Sequence, residues 1–183
     1  MGKVLDSIDD RLATFLAAQP VFFVATAPSG DSGHVNVSPK GVAGTFTVVD
    51  DHTVAYADIT ASGAETIAHL RDNARITLMF CAFANPPRVV RLHGRGRVVS
   101  RYDTEFPAFV DRFAEQRGVR AVVVVDVTRV STSCGFGVPL LTYAGERTNL
   151  QRGVERRGDQ GLIDYRRRHN QVSIDGLPAF DFD

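Results

Sequence analysis

The chain has 183 residues and a mass of 20.0 kDa, enough for one sizeable core and too little for two full domains. Its 21 Lys and Arg balance its 21 Asp and Glu, so no net field draws it to nucleic acid or to an anionic membrane. Its two cysteines make no disulfide framework, its longest apolar runs are too short to cross a bilayer, and its N-terminus lacks signal-peptide character, which together predict a cytoplasmic protein with reduced thiols.

Ile8, Leu12, Phe15 and Leu16 recur at helical spacing, with Ser7 placed as an N-cap and Pro20 just beyond the end. Val21 to Ala27 is a β-rich run closed by Pro28, Ser29 and Gly30, and His34 to Lys40 then alternates strictly, so the two predict a hairpin. Strands are predicted over Thr45–Val49 and Thr53–Ala57, followed by a short helix from about Ala64 to Arg71. Arg75 to Phe83 is continuously apolar, the Asn85, Pro86, Pro87 turn follows, and Arg88 to Ser100 is a long alternating strand. Phe106, Phe109, Val110 and Phe113 mark a helix face that admits Pro107 in its first turn and stops at Gly118. A strand over Val119–Val130, a glycine-bearing turn from Cys134 to Pro139 and a charged helical stretch complete the chain. The pattern is mainly β (α+β), a closed or partly closed antiparallel barrel with short flanking helices. Residues 1–183 read as a single domain whose charged, partly helical extension starts at about residue 140.

Two segments carry polar groups in a pattern suited to a ligand. In His34 to Lys40 the period of two places His34, Asn36, Ser38 and Lys40 on one face and sends Val35 and Val37 to the core. An amide, a hydroxyl and an ammonium on one face suit a heterocycle edge and a phosphate, and they equally suit a solvated strand. The second segment, Asp58 to Thr66, leaves a strand, turns at Gly63 and enters a helix. Its backbone N–H groups and the hydroxyls of Thr60, Ser62 and Thr66 suit an anion, while Ser62 and Glu65 match the capping box that would use those donors internally.

Arg91, His93, Arg95 and Arg97 share one strand face and require something anionic opposite, a cross-strand carboxylate or a ligand phosphate. Gly94 and Gly96 on the other face mark a barrel bend or a close approach. Cys134 has no acid or histidine tied to it by a motif and reads as a packed thiol. The histidines at 34, 52, 69, 93 and 169 are scattered and support no metal site, and no nucleophile-elbow, Walker or dinucleotide glycine motif is present. Arg147, Arg152, Arg156, Arg157 and Arg166 to Arg168 are interleaved with Glu146, Glu155, Asp159 and Asp164, the pattern of a solvated helical surface rather than of a nucleic-acid site.

The string Asn36-Val37-Ser38-Pro39-Lys40-Gly41, then Tyr56-Ala57-Asp58 leading to Glu65-Thr66 and His69-Leu70, then Arg75 to Phe83, resembles the pyridoxamine 5′-phosphate oxidase-like proteins. Pro87-Arg88 to Arg91 with Gly94, the Ser133 to Pro139 turn and the closing Ser173-Ile174-Asp175-Gly176-Leu177-Pro178 extend the resemblance over most of the chain, as an uncharacterised branch. It implies a six-stranded split barrel, a homodimer, and flavin mononucleotide (FMN) at the dimer interface, with a deazaflavin or haem as the alternatives used by wider relatives. Carried over by position, it implies cofactor contacts from Asn36, Ser38 and Lys40, from the turn bearing Asp58, Thr60, Ser62 and Thr66, and from Arg88 and Arg91 reaching the partner's flavin. Ala64, Glu65 and Thr66 depart from the family pattern, which carries a lysine there. The implied activity is a flavin-dependent oxidoreductase acting on a small molecule, and the competing class is a carrier that binds flavin, deazaflavin or haem without turnover.

Overall fold

The computed structural model describes residues 2–115 and 117–180. Its centre is one antiparallel sheet that curls into a split barrel. Eight strands contribute: β1 (Lys3–Leu5), β2 (Phe22–Thr26), β3 (Asn36–Lys40), β4 (Phe46–Val48), β5 (Thr53–Ile59), β6 (Arg75–Cys81), β7 (Val89–Ser100) and β8 (Val119–Ser133). Their order is β3-β2-β6-β7-β8-β5-β4, with β1 added beside β8. The six longer strands make the expected barrel, and the three-residue β1 and β4 are additions to it. β1 was not foreseen because three residues carry too little periodicity to register.

Among the described residues four helices flank the sheet: α1 (Asp10–Ala17), α2 (Glu65–Asn73), α3 (Phe106–Val110) and α4 (Asn149–His169), the last kinked at Gly158. α1 begins two residues later than the sequence suggests. Ile8 stays outside the helix, its N–H bonded to the Asp51 carbonyl at 2.8 Å, and Asp9 takes the cap by accepting the Leu12 N–H at 2.7 Å. Among the described residues no helix is long and apolar enough to cross a membrane.

The concave side of the sheet holds Phe22, Val24, Val54, Tyr56, Leu78, Phe80, Val90, Leu92, Val123 and Val125, closed at one end by Leu12 and Leu16 of α1. Phe22, Phe46, Tyr56 and Phe80 pack there with ring centroids 5.0 to 5.6 Å apart. The opposite side of β5 and β8 is covered by Val110 of α3 and by Phe113 just beyond it, and α2 packs over the barrel mouth through Ile67 and Ala68. The alternation of β5 thus serves two cores at once.

The faces of β3 are the reverse of the expectation. Val35 and Val37 are 72% and 61% exposed, whereas Asn36, Ser38 and Lys40 are half-buried. Pairing with β2 decides this: Asn36 lies opposite Thr26, Ser38 opposite Val24 and Lys40 opposite Phe22, and paired residues share a face. Since Thr26, Val24 and Phe22 are buried, the polar face of β3 turns inward and its valines turn out.

Candidate functional site

The inward face of β3 meets the β5–α2 turn, and the two polar segments become one site. Asn36 donates from Nδ2 to the Thr66 hydroxyl at 3.0 Å and to the Thr26 hydroxyl at 3.4 Å, while Ser38 donates to Asn36 Oδ1 at 3.1 Å. Both Asn36 amide protons are therefore engaged. What remains for a ligand is acceptor capacity on Asn36 Oδ1 and Ser38 Oγ beside the Thr66 hydroxyl, which suits a partner edge rich in N–H or O–H groups.

The same network reaches α2. Thr26 Oγ1 is 3.0 Å from Nδ1 of His69, a fully buried ring. Thr26 accepts from Asn36 and keeps both a proton and a lone pair for His69, so either tautomer of the neutral ring makes this bond, and Nε2 has no hydrogen-bond partner. Burial lowers the His69 pKa against the opposing pull of Asp175, Glu65 and Asp72, consistent with that neutral ring.

Lys40 ends the β3 row, and its Nζ lies 2.7 Å from Asp58 Oδ1. The second carboxylate oxygen of Asp58 accepts from Arg120 Nε at 2.7 Å. Burial raises the Asp58 pKa, but Arg120 and then Lys40 more than offset it, and the group is held well below the ordinary carboxylate range. Arg120 reaches this position through a bulge. Asp58 pairs with Ala121 and Ile59 with Val119, which leaves Arg120 as an extra residue turned toward the carboxylate.

Arg120 also fixes the turn: Nη1 donates to the carbonyls of Gly63 at 2.9 Å and Ala61 at 3.3 Å, which Asn170 Nδ2 also contacts. Thr60 bonds the Gly118 carbonyl through its hydroxyl at 2.8 Å, and Arg166 Nε donates to that hydroxyl at 2.8 Å. With its carbonyls drawn backward, the turn presents the α2 N-terminus forward. Of the two readings of this turn, the capping box is absent: Ala64 is the N-cap, no side chain caps the helix, and Ser62 is exposed. Gly63 has φ 78° and the Glu65 carboxylate folds against it, so Glu65 spends its reach on the turn rather than on the Ser62 backbone. The first-turn N–H groups retain their attraction for an anion, with Glu65 opposing it.

Arg88 and Arg91 stand apart from this network. Arg88 lies over the Phe15 ring, 5.0 Å from its centroid, on the wall of an apolar cavity of about 630 Å³ with Pro20, Phe83 and Tyr143. A neighbouring cavity of about 480 Å³ shares Pro20 and Tyr143 with it and runs to Lys40 and Phe46. Arg91 is near Ser133 at 3.4 Å on β8. Of the remaining β7 cations, Arg97 is answered by Glu105 at 2.8 Å, a carboxylate at the N-cap of α3 and not one from a facing strand. Gly94 sits at a bulge against the Asp126 carbonyl, where a Cβ has no room.

Two readings of the sequence are corrected here. Cys134 is exposed, because Gly135 with φ 70° takes the inner place against the Arg88 backbone. Arg166 is not part of a solvated face but is 1% exposed. Sequence reasoning missed Arg120, Arg166 and Asn170 as partners of the turn. Only Arg120 had a visible signal, a charge at the start of the apolar run Val119 to Val125.

The model of the pyridoxamine 5′-phosphate oxidase family matches residues 8–134, which contains the β3 row, the turn and Arg120. Protein ustO of Aspergillus flavus, described as a pyridoxamine 5′-phosphate oxidase family protein, is 40% identical over 190 residues, covering 95% of this chain and 76% of its own. The chain belongs to the pyridoxamine 5′-phosphate oxidase family. Solved structures agree on the fold. HupZ of Group A Streptococcus superposes with a TM-score of 0.56 at 22% identity, covering 69% of this chain and 99% of HupZ. An FMN-binding protein from Syntrophomonas wolfei gives 0.50 at 13% identity, over 64% of this chain and 80% of its own. The FAD binding protein of Mycobacterium smegmatis gives 0.50 at 17% identity, over 72% of this chain and 97% of its own. At such identities the likeness concerns the split barrel alone, and this family member's site rests on its own residues.

Proposed function

We propose that this protein binds a flavin, FMN in preference to others, between β3 and the β5–α2 turn, and acts as a flavin-dependent oxidoreductase on a small molecule. The observation that carries the reading is the inward polar face of β3, where Asn36 and Ser38 bond with Thr66 in one network and Lys40 bonds with Asp58 in a second beside it. An acceptor-rich edge beside an uncapped helix N-terminus fits both the hydroxyl-bearing and the phosphate-bearing parts of such a cofactor. The flavin-binding proteins that share the fold lend support.

In this reading Asn36, Ser38 and Thr66 orient the ring edge or ribityl chain. Ser62, the first-turn N–H groups of α2 and Lys40 meet the phosphate, Lys40 with the protons not given to Asp58. Asp58 and Thr60 hold Lys40 and the turn in register. A bound flavin supplies the hydride or electron transfer, and the chain supplies position and polarity. The protein works as a homodimer in which Arg88 and Arg91 reach the flavin of the second copy. The exposed Val35 and Val37 on edge strand β3, and Phe136, Leu140 and Leu141 on the arm after β8, supply apolar surface for that contact. The setting proposed is cytoplasmic.

The pairing of Lys40 with Asp58 favours a second reading, a carrier that holds flavin, deazaflavin or haem without turnover, because that pairing weakens the grip on a phosphate. Stopped-flow oxidation of the reduced, flavin-loaded protein separates the two. Reoxidation accelerated by an added electron acceptor supports the enzyme, and rates independent of every acceptor support the carrier.

A further inference from the structure

The apolar cavity of about 630 Å³ beside Arg88 takes no part in the site on β3. Phe15 and Pro20 reach it from α1 and the residues just after, Phe83 from the β6–β7 loop, and Leu141 and Tyr143 from the arm that follows β8. That arm is held on either side of Tyr143: the Leu141 N–H donates to the Phe83 carbonyl at 3.0 Å, and the Glu146 carboxylate accepts the Ala43 N–H at 3.0 Å. The wall is built by the chain's own bonds. A volume within roughly 300–1,000 Å³, apolar and aromatic walls and few polar groups mark a small-molecule site. Charge then selects the occupant. Arg88 is the one charged residue among those lining the cavity, and it is half-buried. Lys40, Arg97, Arg117 and Arg120 each meet a carboxylate, whereas Arg88 has the Phe15 ring and no carboxylate among the described residues. The neighbouring cavity of about 480 Å³ holds both Lys40 and Glu146 and lacks this one-sided charge.

We propose that this cavity is a second binding site, for a flat aromatic molecule carrying one carboxylate. The rings of Phe15, Phe83 and Tyr143 suit a planar apolar body, and the guanidinium fork of Arg88 matches the two oxygens of a carboxylate. A single cation sets the charge. One carboxylate neutralises it, and a phosphate dianion leaves a negative charge against apolar walls. Apolar surroundings also strengthen the pair over its worth in water. An Arg88 that reaches the flavin of a second copy still has N–H groups for a carboxylate. The inference does not depend on the flavin reading.

Calorimetric titration of the full chain with 2-naphthoate, and with 2-naphthamide as the neutral molecule of the same shape, tests the site. The expected result is one naphthoate per chain, with naphthamide bound about tenfold more weakly or worse, the loss of a charge-assisted fork. Arg88→Gln brings naphthoate down to the affinity of naphthamide and leaves naphthamide unaltered. Tyr143→Ala, at an exposed position of the arm, weakens both ligands alike because it removes a wall and no charge. Absence of naphthoate binding, equal affinity for the two ligands, or unaltered naphthoate binding in both variants overturns the proposal. Repeating the titration on FMN-saturated protein keeps the two readings apart. A chain that takes up no FMN but binds naphthoate through Arg88 sinks the flavin reading and leaves this one standing, whereas naphthoate displaced by FMN overturns this one by assigning Arg88 to the flavin alone.

Discussion

Asp58 and Arg120 meet at 2.7 Å with side chains 3% and 6% exposed, and each exists in that position because of the other. The bulge in β8 turns Arg120 inward, and the carboxylate from β5 gives it a counter-charge. Lys40 joins from β3, so three strands share one charge cluster.

Asp58→Ala leaves Arg120 buried without its counter-charge and is expected to cost about 3–5 kcal/mol. Urea unfolding measures the loss. The pH dependence has a definite sign. The folded pKa of Asp58 lies below its ordinary 3.8, so the stability it contributes is complete above 3.8 and declines as pH falls through the lower folded value. Asp58→Ala flattens the stability profile in that acid window and leaves its slope near neutrality unchanged.

His69 gives the second pH signature. Its folded pKa is lowered from 6.5, so the unfolded chain takes up the proton first and stability falls as pH drops below 6.5 toward the folded value. Replacement by Gln removes this slope. Urea unfolding at pH 7.5 and 5.5 is expected to show a smaller difference in His69→Gln than in the natural chain.

The barrel was largely legible in the sequence, and the reason is local. Hairpin β2–β3, the buried β6 and the long β7 carry continuous or alternating apolar patterns bounded by Pro, Gly and Asn, which sheet geometry converts directly into strands. The direction of β3 was not legible. Val35 and Val37 look like core by pattern, and only the pairing of Asn36 with Thr26 reverses them. The cluster at Asp58 was half legible: Lys40 and Asp58 were singled out, but Arg120 depends on a bulge and Arg166 on helix packing across 106 residues of chain, and neither leaves a periodic trace.

Lys40 and Glu65 are expected to act oppositely on cofactor affinity. Lys40→Ala weakens FMN binding by about 1.5–3 kcal/mol, the range for hydrogen bonds to charged groups. Glu65→Gln removes the negative charge beside Gly63 and tightens FMN without altering riboflavin. Fluorescence titrations with both flavins give the comparison.

Val37 tests the assembly. An aspartate at this exposed apolar position on an edge strand leaves the fold intact, since no core contact is lost, and is expected to shift the protein from dimer to monomer. Sedimentation of Val37→Asp against the natural chain reads the change, and FMN affinity falls with it because Arg88 and Arg91 of the second copy are withdrawn.

A flavin site on the inward face of β3 is tested by titrating FMN into the purified protein and following flavin fluorescence and absorbance. Saturable binding at one flavin per chain is expected, weakened in Asn36→Ala and in Ser38→Ala. A protein that takes up no flavin, or that binds it with unchanged affinity in both variants, contradicts it.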